Sequence, residues 1–207
     1  LKKFGFKNKM VWHGDVELPK SDLVVLPGGF SYGDYLRCGS MASKSKIMYS
    51  VINFVKSGGL VIGICNGFQI LVETGLLPGV LLRNKYLEFI CKNVYVKVDN
   101  KENPNFKNLD KEVFEFHIAH NEGNYFCTKD QLKEIEDNNQ VAVYYCNDKG
   151  KTEDQYNPNG SIKNIAGIFN KEKNVLGMMP HPERMIDQSL SGEDGSLFFK
   201  NLINNLK

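Results

Sequence analysis

Two short apolar segments, each ending in a glycine-containing turn, constrain the fold more than any other feature of the sequence. Residues 22–26 (DLVVL) lead into residues 27–29 (PGG), and residues 60–64 (LVIGI) lead into residues 65–67 (CNG). Between them, from about Met41 to Lys56, apolar residues recur every three or four positions, as in an amphipathic helix. Buried strands joined by such a helix predict a parallel sheet whose ligand-binding loops follow the carboxyl ends of its strands.

The second half of the chain has a different pattern. Apolar residues alternate in Phe89–Val98 and Val113–His117, which predicts half-exposed antiparallel strands and therefore a mixed sheet. The other predicted elements are a helix Phe68–Thr74, a helix from Thr128 to about Asp137 with a Thr128–Gln131 capping box, strands at 140–145, 165–169 and 175–179, a flexible polar surface loop at 147–159, and a terminal helix Gly195–Leu206.

The size of the chain favours one domain over residues 1–207, since α/β sheets with flanking helices reach this length around one core. Residues 1–13 (LKKFGFKNKMVWH) resemble the tail of a helix, a capping glycine and then a strand. In a βα-type domain we therefore expect a first strand and most of a first helix to precede Leu1.

Composition excludes several classes of function. A formal net charge of +2, with scattered lysines, argues against binding to nucleic acid or anionic lipid, and no apolar run is long enough to span a bilayer. The five cysteines are odd in number and include no CxxC pair, which predicts a reducing, cytoplasmic setting.

Residues 63–67 (GICNG) have the G-x-nucleophile-x-G layout of a strand-to-helix turn, with Cys65 at its peak. The positive end of the following helix favours a thiolate at this position, and the Asn66 backbone N–H is available to a developing oxyanion. The alternative is that Cys65 is a small buried hydrophobic residue, which is how we interpret the other four cysteines.

A cysteine nucleophile needs an oriented general base, and residues 181–183 (HPE) offer one. In extended backbone His181 and Glu183 point the same way, so that Glu183 can accept a hydrogen bond from one ring nitrogen while the other faces Cys65. Alone, the tripeptide would be read as a turn with an exposed histidine. His117 and His120 are three residues apart on a predicted strand, which places them on opposite faces and argues against a shared metal site.

Residues 27–34 (PGGFSYGD) follow a buried strand and should adjoin Cys65 at the same edge of the sheet. Glycines there allow backbone N–H groups close to a substrate, so we expect this loop to supply a second oxyanion donor. A phosphate-binding role is the alternative, but the loop has neither of the usual glycine-rich phosphate signatures.

Together these residues resemble a known family. The segments PGGFSYGDYLRCG (27–39), GICNGFQIL (63–71), GLLPG (75–79), LRNK (82–85), AHNEGNYFC (119–127) and LGMMPHPER (176–184) are similar to the glutaminase subunits of phosphoribosylformylglycinamidine synthase, which are class I (triad) glutamine amidotransferases. The resemblance covers nearly the whole chain in consistent order. It implies a flavodoxin-like α/β fold with a mixed, mostly parallel central sheet and helices on both faces, and a first strand that this sequence lacks.

The resemblance also implies roles for individual residues. Cys65 would attack the side-chain amide of glutamine, forming a glutamyl thioester and releasing ammonia, while His181 moves the proton and Glu183 orients His181. Gly29 and Asn66 would supply oxyanion N–H groups, and Gln69 with His120, Asn121 and Glu122 would help to hold glutamine.

The partners implied by the resemblance are glutamine and two further subunits, a synthetase subunit with its small accessory subunit, with neither nucleic acid nor membrane. The synthetase would use ATP and Mg²⁺ to convert formylglycinamide ribonucleotide to the amidine in purine biosynthesis, so the glutaminase itself should hold no cofactor and no metal. Two alternatives remain: a protease, glyoxalase or redox sensor with an elbow cysteine, and a non-catalytic scaffold. A buried Cys65, or a His181 turned away from it, would favour the scaffold.

Overall fold

The computed structural model describes residues 1–35, 37–98, 106, 109, 111–189 and 191–204. In chain order its described strands are β1 Leu23–Leu26, β2 Leu60–Ile64, β3 Val80–Leu82, β4 Ile90–Val98, β5 Val113–His120, β6 Asn124–Phe126, β7 Val141–Cys146, β8 Ile165–Phe169 and β9 Val175–Met178. They form a large sheet in the order β1-β2-β9-β8-β7-β4-β5 and a small sheet of β3 and β6.

The strands β1, β2 and β9 are parallel neighbours, as the apolar runs predicted. Leu26 pairs with Gly63, and Ile64 pairs with Met178, so the three strands end at nearly the same level. The turns that follow them therefore share one edge of the sheet, where open α/β sheets bind ligands.

The rest of the large sheet is antiparallel, from β9 through β8, β7 and β4 to β5. The predicted mixed sheet is confirmed, with a parallel part that is smaller among the described strands than the sequence indicated. Although β5 lies four places from β9, His181 donates its backbone N–H to the His117 carbonyl at 2.8 Å. The sheet must therefore curl to bring β5 back beside the carboxyl edge.

The four α-helices described are α1 Ile47–Lys56, α2 Asn66–Glu73, α3 Lys129–Asp137 and α4 Asp194–Asn204. Helix α1 begins at Ile47 rather than near Met41, because a short 3₁₀ turn at Ala42–Lys44 precedes it. The capping box of α3 is confirmed: Gln131 donates its N–H to Thr128 Oγ1, and Thr128 donates its N–H to Gln131 Oε1. The predicted helix end at Leu206 lies outside the described residues.

The structure differs from the sequence-based expectations in three further respects. The amino-terminal residues form a 3₁₀ turn, Lys2–Phe4, capped by left-handed Gly5, but no strand is assigned between there and β1. The small sheet of β3 and β6 was missed, since three-residue strands are too short to show a periodic pattern. Strand β5 also extends beyond His117 to His120.

The core includes an aromatic cluster between the sheet and α4. Phe198 is 1% exposed and makes edge contacts with Phe114 and Phe116 of β5, with ring centroids 5.8 and 5.5 Å apart. Burial of large aromatic side chains is a major stabilising term, which anchors α4 to β5. No helix within the described ranges has the length and apolar character needed to cross a membrane.

Candidate active site

Cys65 occupies a strained turn between β2 and α2. Its backbone angles are φ 49° and ψ −104°, a combination that costs a non-glycine residue on the order of 1–3 kcal/mol. Glycines make the turn possible: a Cβ on Gly63 would lie 2.7 Å from the Gly67 carbonyl, and one on Gly67 would lie 2.0 Å from the Leu26 carbonyl oxygen. The predicted nucleophile elbow is therefore present, and it projects Cys65 at the carboxyl edge of the sheet.

The Cys65 side chain is only 3% exposed. Burial raises the pKa of the Cys65 thiol to about 12, although a hydrogen bond from the Asn66 backbone N–H and the positive charge of Arg184 both act to lower it. The expected preference for thiolate at the helix end is thus outweighed by desolvation. Cys65 is a neutral thiol at rest, and attack on a carbonyl carbon requires a base that removes its proton.

The raised pKa predicts the pH dependence of Cys65 alkylation in the isolated chain. Below its pKa the thiolate fraction grows tenfold per pH unit, so the rate with iodoacetamide should rise about tenfold per unit from pH 7 to pH 10 without a plateau. Peptide mapping by mass spectrometry measures this rate. In denaturant the same cysteine should level off near its ordinary pKa of about 8.5. A plateau below pH 8 in the native chain would reveal a resting thiolate instead.

His181 is placed to be that base. The residue is 1% exposed, and Nδ1 lies 2.5 Å from Glu183 Oε1. Since the carboxylate is an acceptor, it holds the hydrogen on Nδ1 and leaves Nε2 with a free lone pair. Nε2 is buried and has no hydrogen-bond partner among the described residues. The side chains of His181 and Glu183 therefore have the arrangement that the sequence predicted, in which Glu183 orients the histidine ring.

Gly28 shows that Cys65 and His181 are neighbours. A Cβ built on Gly28 would lie 2.7 Å from His181 Cε1 and 3.6 Å from Cys65 Cβ. The loop after β1 therefore passes directly against both side chains, and only a glycine leaves the ring room at this point. The sequence placed this loop beside Cys65, but it assigned no contact with His181 to Gly28.

Replacing Gly28 with alanine should displace the His181 ring, because the alanine Cβ would lie 2.7 Å from His181 Cε1, which is too close for two carbon atoms. Displacing a reacting group by about 1 Å can cost about 100-fold, so we expect kcat/KM for the glutaminase reaction implied by the resemblance to fall by up to about that factor. Steady-state ammonia release measures the effect. Gly58→Ala is the control, because its methyl would meet no atom within 4 Å. Equal activity of the two variants would contradict the placement of Gly28 against His181.

Three of the other predicted pocket residues form one chain of hydrogen bonds. Asn66 Nδ2 donates to Gln69 Oε1 at 2.8 Å, and Gln69 Nε2 donates to the Glu122 carbonyl at 2.7 Å. The Glu122 carboxylate accepts the Cys38 N–H at 3.1 Å and lies 3.9 Å from Arg83 Nε. In this structure Gln69 and Glu122 therefore join the elbow to the turn after β5 and to the loop after β1.

His120 is the last residue of β5, and Asn121 begins the turn that follows it. The Ala119 carbonyl is 3.8 Å from Cys65 Sγ, and His120 is 2% exposed. The Asn121 carbonyl accepts the backbone N–H of Asn84 at 2.9 Å. Gly29, the predicted oxyanion donor, faces open space: a Cβ there would meet no atom within 4 Å.

Sequence reasoning missed three residues around this site: Asn84, Asn159 and Arg184. Asn84 and Arg184 stand in segments that carried the resemblance, but no role was assigned to them. Asn159 ends the predicted flexible surface loop, yet it is fully buried and donates from Nδ2 to the Gly123 carbonyl at 2.8 Å. That end of the loop instead supports the turn after β5.

The described residues contain no group of three or more His, Cys, Asp or Glu side chains arranged to hold a metal ion. His117 and His120 are both on β5, and the buried ring of His120 pairs with Asn84 Oδ1 at 3.1 Å.

Comparison with known proteins identifies the family. Residues 3–193 match the model of the CobB/CobQ-like glutamine amidotransferase domain. The chain is 78% identical over 207 residues, all of this chain and 91% of the relative, to phosphoribosylformylglycinamidine synthase subunit PurQ of Pelagibacter ubique.

Solved structures agree with this assignment. A chain in the structure of PurLQS from Thermotoga maritima is 42% identical, with a TM-score of 0.80 over 93% of this chain and 84% of that one. Another glutamine amidotransferase from Thermotoga maritima, 15% identical, shares the fold with a TM-score of 0.57 over 92% of this chain and 81% of that one. The resemblance seen in the sequence and the α/β amidotransferase fold are confirmed, and the chain belongs to the PurQ family of glutamine amidotransferase subunits of phosphoribosylformylglycinamidine synthase.

Proposed function

We propose that this protein hydrolyses glutamine to glutamate and ammonia through a triad of Cys65, His181 and Glu183. The observation that carries the proposal is the meeting of the strained elbow cysteine with a buried histidine whose Nδ1 is held by Glu183 at 2.5 Å. In the first half-reaction Cys65 Sγ bonds to the amide carbon of the glutamine side chain. His181 Nε2 takes the thiol proton and gives it to the departing nitrogen. The nitrogen leaves as ammonia, and the glutamyl group remains bound to Cys65 as a thioester.

The second half-reaction restores the enzyme. A water molecule loses a proton to His181 Nε2 and bonds to the thioester carbon, the carbon–sulfur bond breaks, and the proton returns to Cys65 Sγ as glutamate forms. Glu183 holds the imidazolium that forms in each half-reaction, because its carboxylate accepts the Nδ1 hydrogen throughout. The high pKa of the resting thiol makes this proton transfer essential to attack.

The oxyanion of each tetrahedral intermediate would be held by the backbone N–H groups of Gly29 and Asn66. The Asn66 N–H already hydrogen-bonds to Cys65 Sγ, and Gly29 directly follows Gly28, which lies against both catalytic side chains. One such donor stabilises the transition state by about 3–4 kcal/mol. Residues 120–122, at the end of β5 and in the turn after it, are tied to the elbow through Gln69 and would form the wall that holds glutamine.

The ammonia would pass to a synthetase subunit, with a small accessory subunit completing the assembly. Support comes from the match to a chain of the PurLQS structure and from relatives described as subunits of the synthase. We place ATP and Mg²⁺ in the synthetase, which uses them to convert formylglycinamide ribonucleotide to its amidine, and no cofactor in this chain. A reducing, cytoplasmic setting is supported by five cysteines that are all free.

Labelling with an electrophilic glutamine analogue tests the proposal. A diazo-ketone analogue should modify Cys65 alone, as located by intact mass and peptide mapping, and excess glutamine should prevent it. The Cys65→Ser variant should not be labelled. Labelling elsewhere, or labelling that glutamine does not reduce, would rule the amidotransferase reaction out.

One observation favours a second candidate. With Cys65 only 3% exposed, the chain could serve as a scaffold without chemistry of its own, or as a glutaminase that opens when its partner binds. Ammonia release measured with and without the synthetase subunits separates these cases. A rise on assembly indicates partner-dependent opening, equal rates exclude such dependence, and no release in either state indicates the scaffold.

A further inference from the structure

The side chain of Asn84, in the short connection between β3 and β4, meets four polar groups. Its Nδ2 lies 2.8 Å from the Glu88 carbonyl and 2.9 Å from the His120 carbonyl. Its Oδ1 lies 3.1 Å from the Gly123 N–H and 3.1 Å from His120 Nδ1. Asn84 is 1% exposed, so these contacts are shielded from water and each must be satisfied within the protein.

Backbone groups determine which way the amide of Asn84 points. Carbonyl oxygens only accept hydrogen bonds, so the atom facing the Glu88 and His120 carbonyls must be the NH₂ group. A backbone N–H only donates, so the atom facing Gly123 must be the oxygen. In a flipped amide the oxygen would face the two carbonyl oxygens and the NH₂ group would face the Gly123 N–H. Such buried unpaired contacts are too costly, so the flipped orientation is excluded.

The orientation of Asn84 in turn determines the hydrogen on His120. Because Asn84 Oδ1 is an acceptor, His120 Nδ1 must be the donor. Burial and the nearby His181 lower the pKa of His120 to about 4, so the ring is neutral at pH 7 and carries its one hydrogen on Nδ1. His120 Nε2 is then a buried acceptor, and it has no partner among the described residues.

A neutral His120 matters for the neighbouring His181. The two rings interact electrostatically, since the charge of His181 is one of the causes that lower the pKa of His120, and a neutral His120 places no like charge near His181. Asn84 also fastens the turn that carries the proposed glutamine-binding residues, since it bonds the backbone at His120, at Asn121 and at Gly123.

We propose that Asn84 is a positioning residue for the glutaminase reaction: its Oδ1 holds the hydrogen of the His120 ring on Nδ1, which leaves His120 Nε2 as a buried acceptor. The proposal gives a role to the LRNK segment, and it rests on the proposed function. Asn84 acts through His120 and through the turn after β5, without touching the reacting atoms itself.

Histidine-selective ¹⁵N labelling of the whole chain tests the tautomer directly. The chain has four histidines, and His120→Gln identifies the signals of His120 by their loss. At pH 7 the wild-type spectrum should show a protonated Nδ1 and an unprotonated Nε2 for His120. A protonated Nε2 would overturn the proposal, and this measurement needs neither activity nor an Asn84 variant.

Two substitutions of Asn84 extend the test. Asn84→Ala removes the acceptor, so His120 should lose its single tautomer, and kcat/KM for ammonia release should fall about 10- to 100-fold. Asn84→Asp keeps an acceptor at His120 Nδ1 but adds a negative charge, so Nδ1 should stay protonated and His120 should titrate at a higher pH than in the wild type. Its second oxygen would face the Glu88 and His120 carbonyls, so the variant should also be less stable. The elements around His120 also carry other titratable or charged groups, which include Cys65 at the elbow, Glu115 and His117 on β5, Cys91 and Lys92 on β4, Arg83, Lys85 and Glu88 between β3 and β4, Glu122, and His181, Glu183 and Arg184 after β9.

Asn174→Ala is the matched control. Asn174 also donates from Nδ2 to two backbone carbonyls, those of Val55 and Gly59 at 2.9 and 3.0 Å, but at the opposite end of β9. Its loss should lower stability without changing the His120 tautomer or its titration. If Asn84→Ala leaves the tautomer unchanged, or if Asn174→Ala alters it equally, the positioning role is wrong. Failure of the proposed function would appear separately, as an unlabelled Cys65 with the His120 tautomer intact.

Discussion

Replacing Cys65 with alanine is expected to lower glutamine-dependent ammonia release by at least about 10⁴-fold. The loss is large because the base of a catalytic triad has no function once the nucleophile is removed. The catalysis that remains comes only from substrate binding and the oxyanion donors. The measurement is steady-state glutamate and ammonia formation by the assembled complex. Amidine formation supplied with ammonium salt in place of glutamine should persist, because the synthetase step does not use Cys65.

The matched control is Cys146→Ala. Cys146 is a free thiol in β7, buried to 4% exposure, and burial raises its pKa to about 11. Its removal deletes an equally buried sulfur outside the elbow, so ammonia release should remain near the wild-type rate. Near wild-type release by Cys65→Ala would contradict the proposed nucleophile, and similar losses in both variants would indicate general destabilisation.

Replacing Gly67 with alanine is expected to destabilise the fold by about 4 kcal/mol or more. The new Cβ would lie 2.0 Å from the Leu26 carbonyl oxygen, a backbone atom that cannot move without shifting β1. Overpacking against backbone belongs to the small class of substitutions with effects of this size. Chemical denaturation followed by circular dichroism measures the change in the free energy of unfolding.

Gly58→Ala provides the comparison for Gly67→Ala. Gly58 has φ +89°, and a Cβ there would meet no atom within 4 Å, so its substitution carries only the cost of left-handed backbone, about 1–2 kcal/mol. If the two alanine variants lose equal stability, the close approach of the elbow to β1 is not what requires glycine at position 67.

The sequence was most informative where function depends on local backbone. The elbow at residues 63–67 was recognised because a tight turn needs glycines at fixed spacing, and this requirement does not depend on the rest of the fold. The His181–Glu183 pair was predicted because residues two apart in extended chain point the same way, and the structure brings their side chains to 2.5 Å. The capping box of α3 was predicted for the same local reason.

Long-range contacts account for what was missed. Asn84 contacts groups 36 and 39 positions away in sequence, and Asn159 reaches Gly123 across 36 positions. In the sequence Asn84 is a polar residue between two strands and cannot be told from ordinary loop residues. Its contacts with His120 and with the turn after β5 form only in the folded chain. For the same reason Asn159 was assigned to an exposed loop, although it is fully buried.

The sequence by itself determined the α/β class, the carboxyl-edge position of the site and the identities of Cys65, His181 and Glu183 as candidates, because each depends on local periodicity, turn chemistry or spacing. Only the tertiary structure decided the protonation states of the groups in the site. The neutral thiol of Cys65 results from burial, and the hydrogen of His120 lies on Nδ1 because a distant asparagine accepts it there. Desolvation and hydrogen bonding depend on what surrounds a group in space, which the curled sheet establishes and the order of residues alone does not.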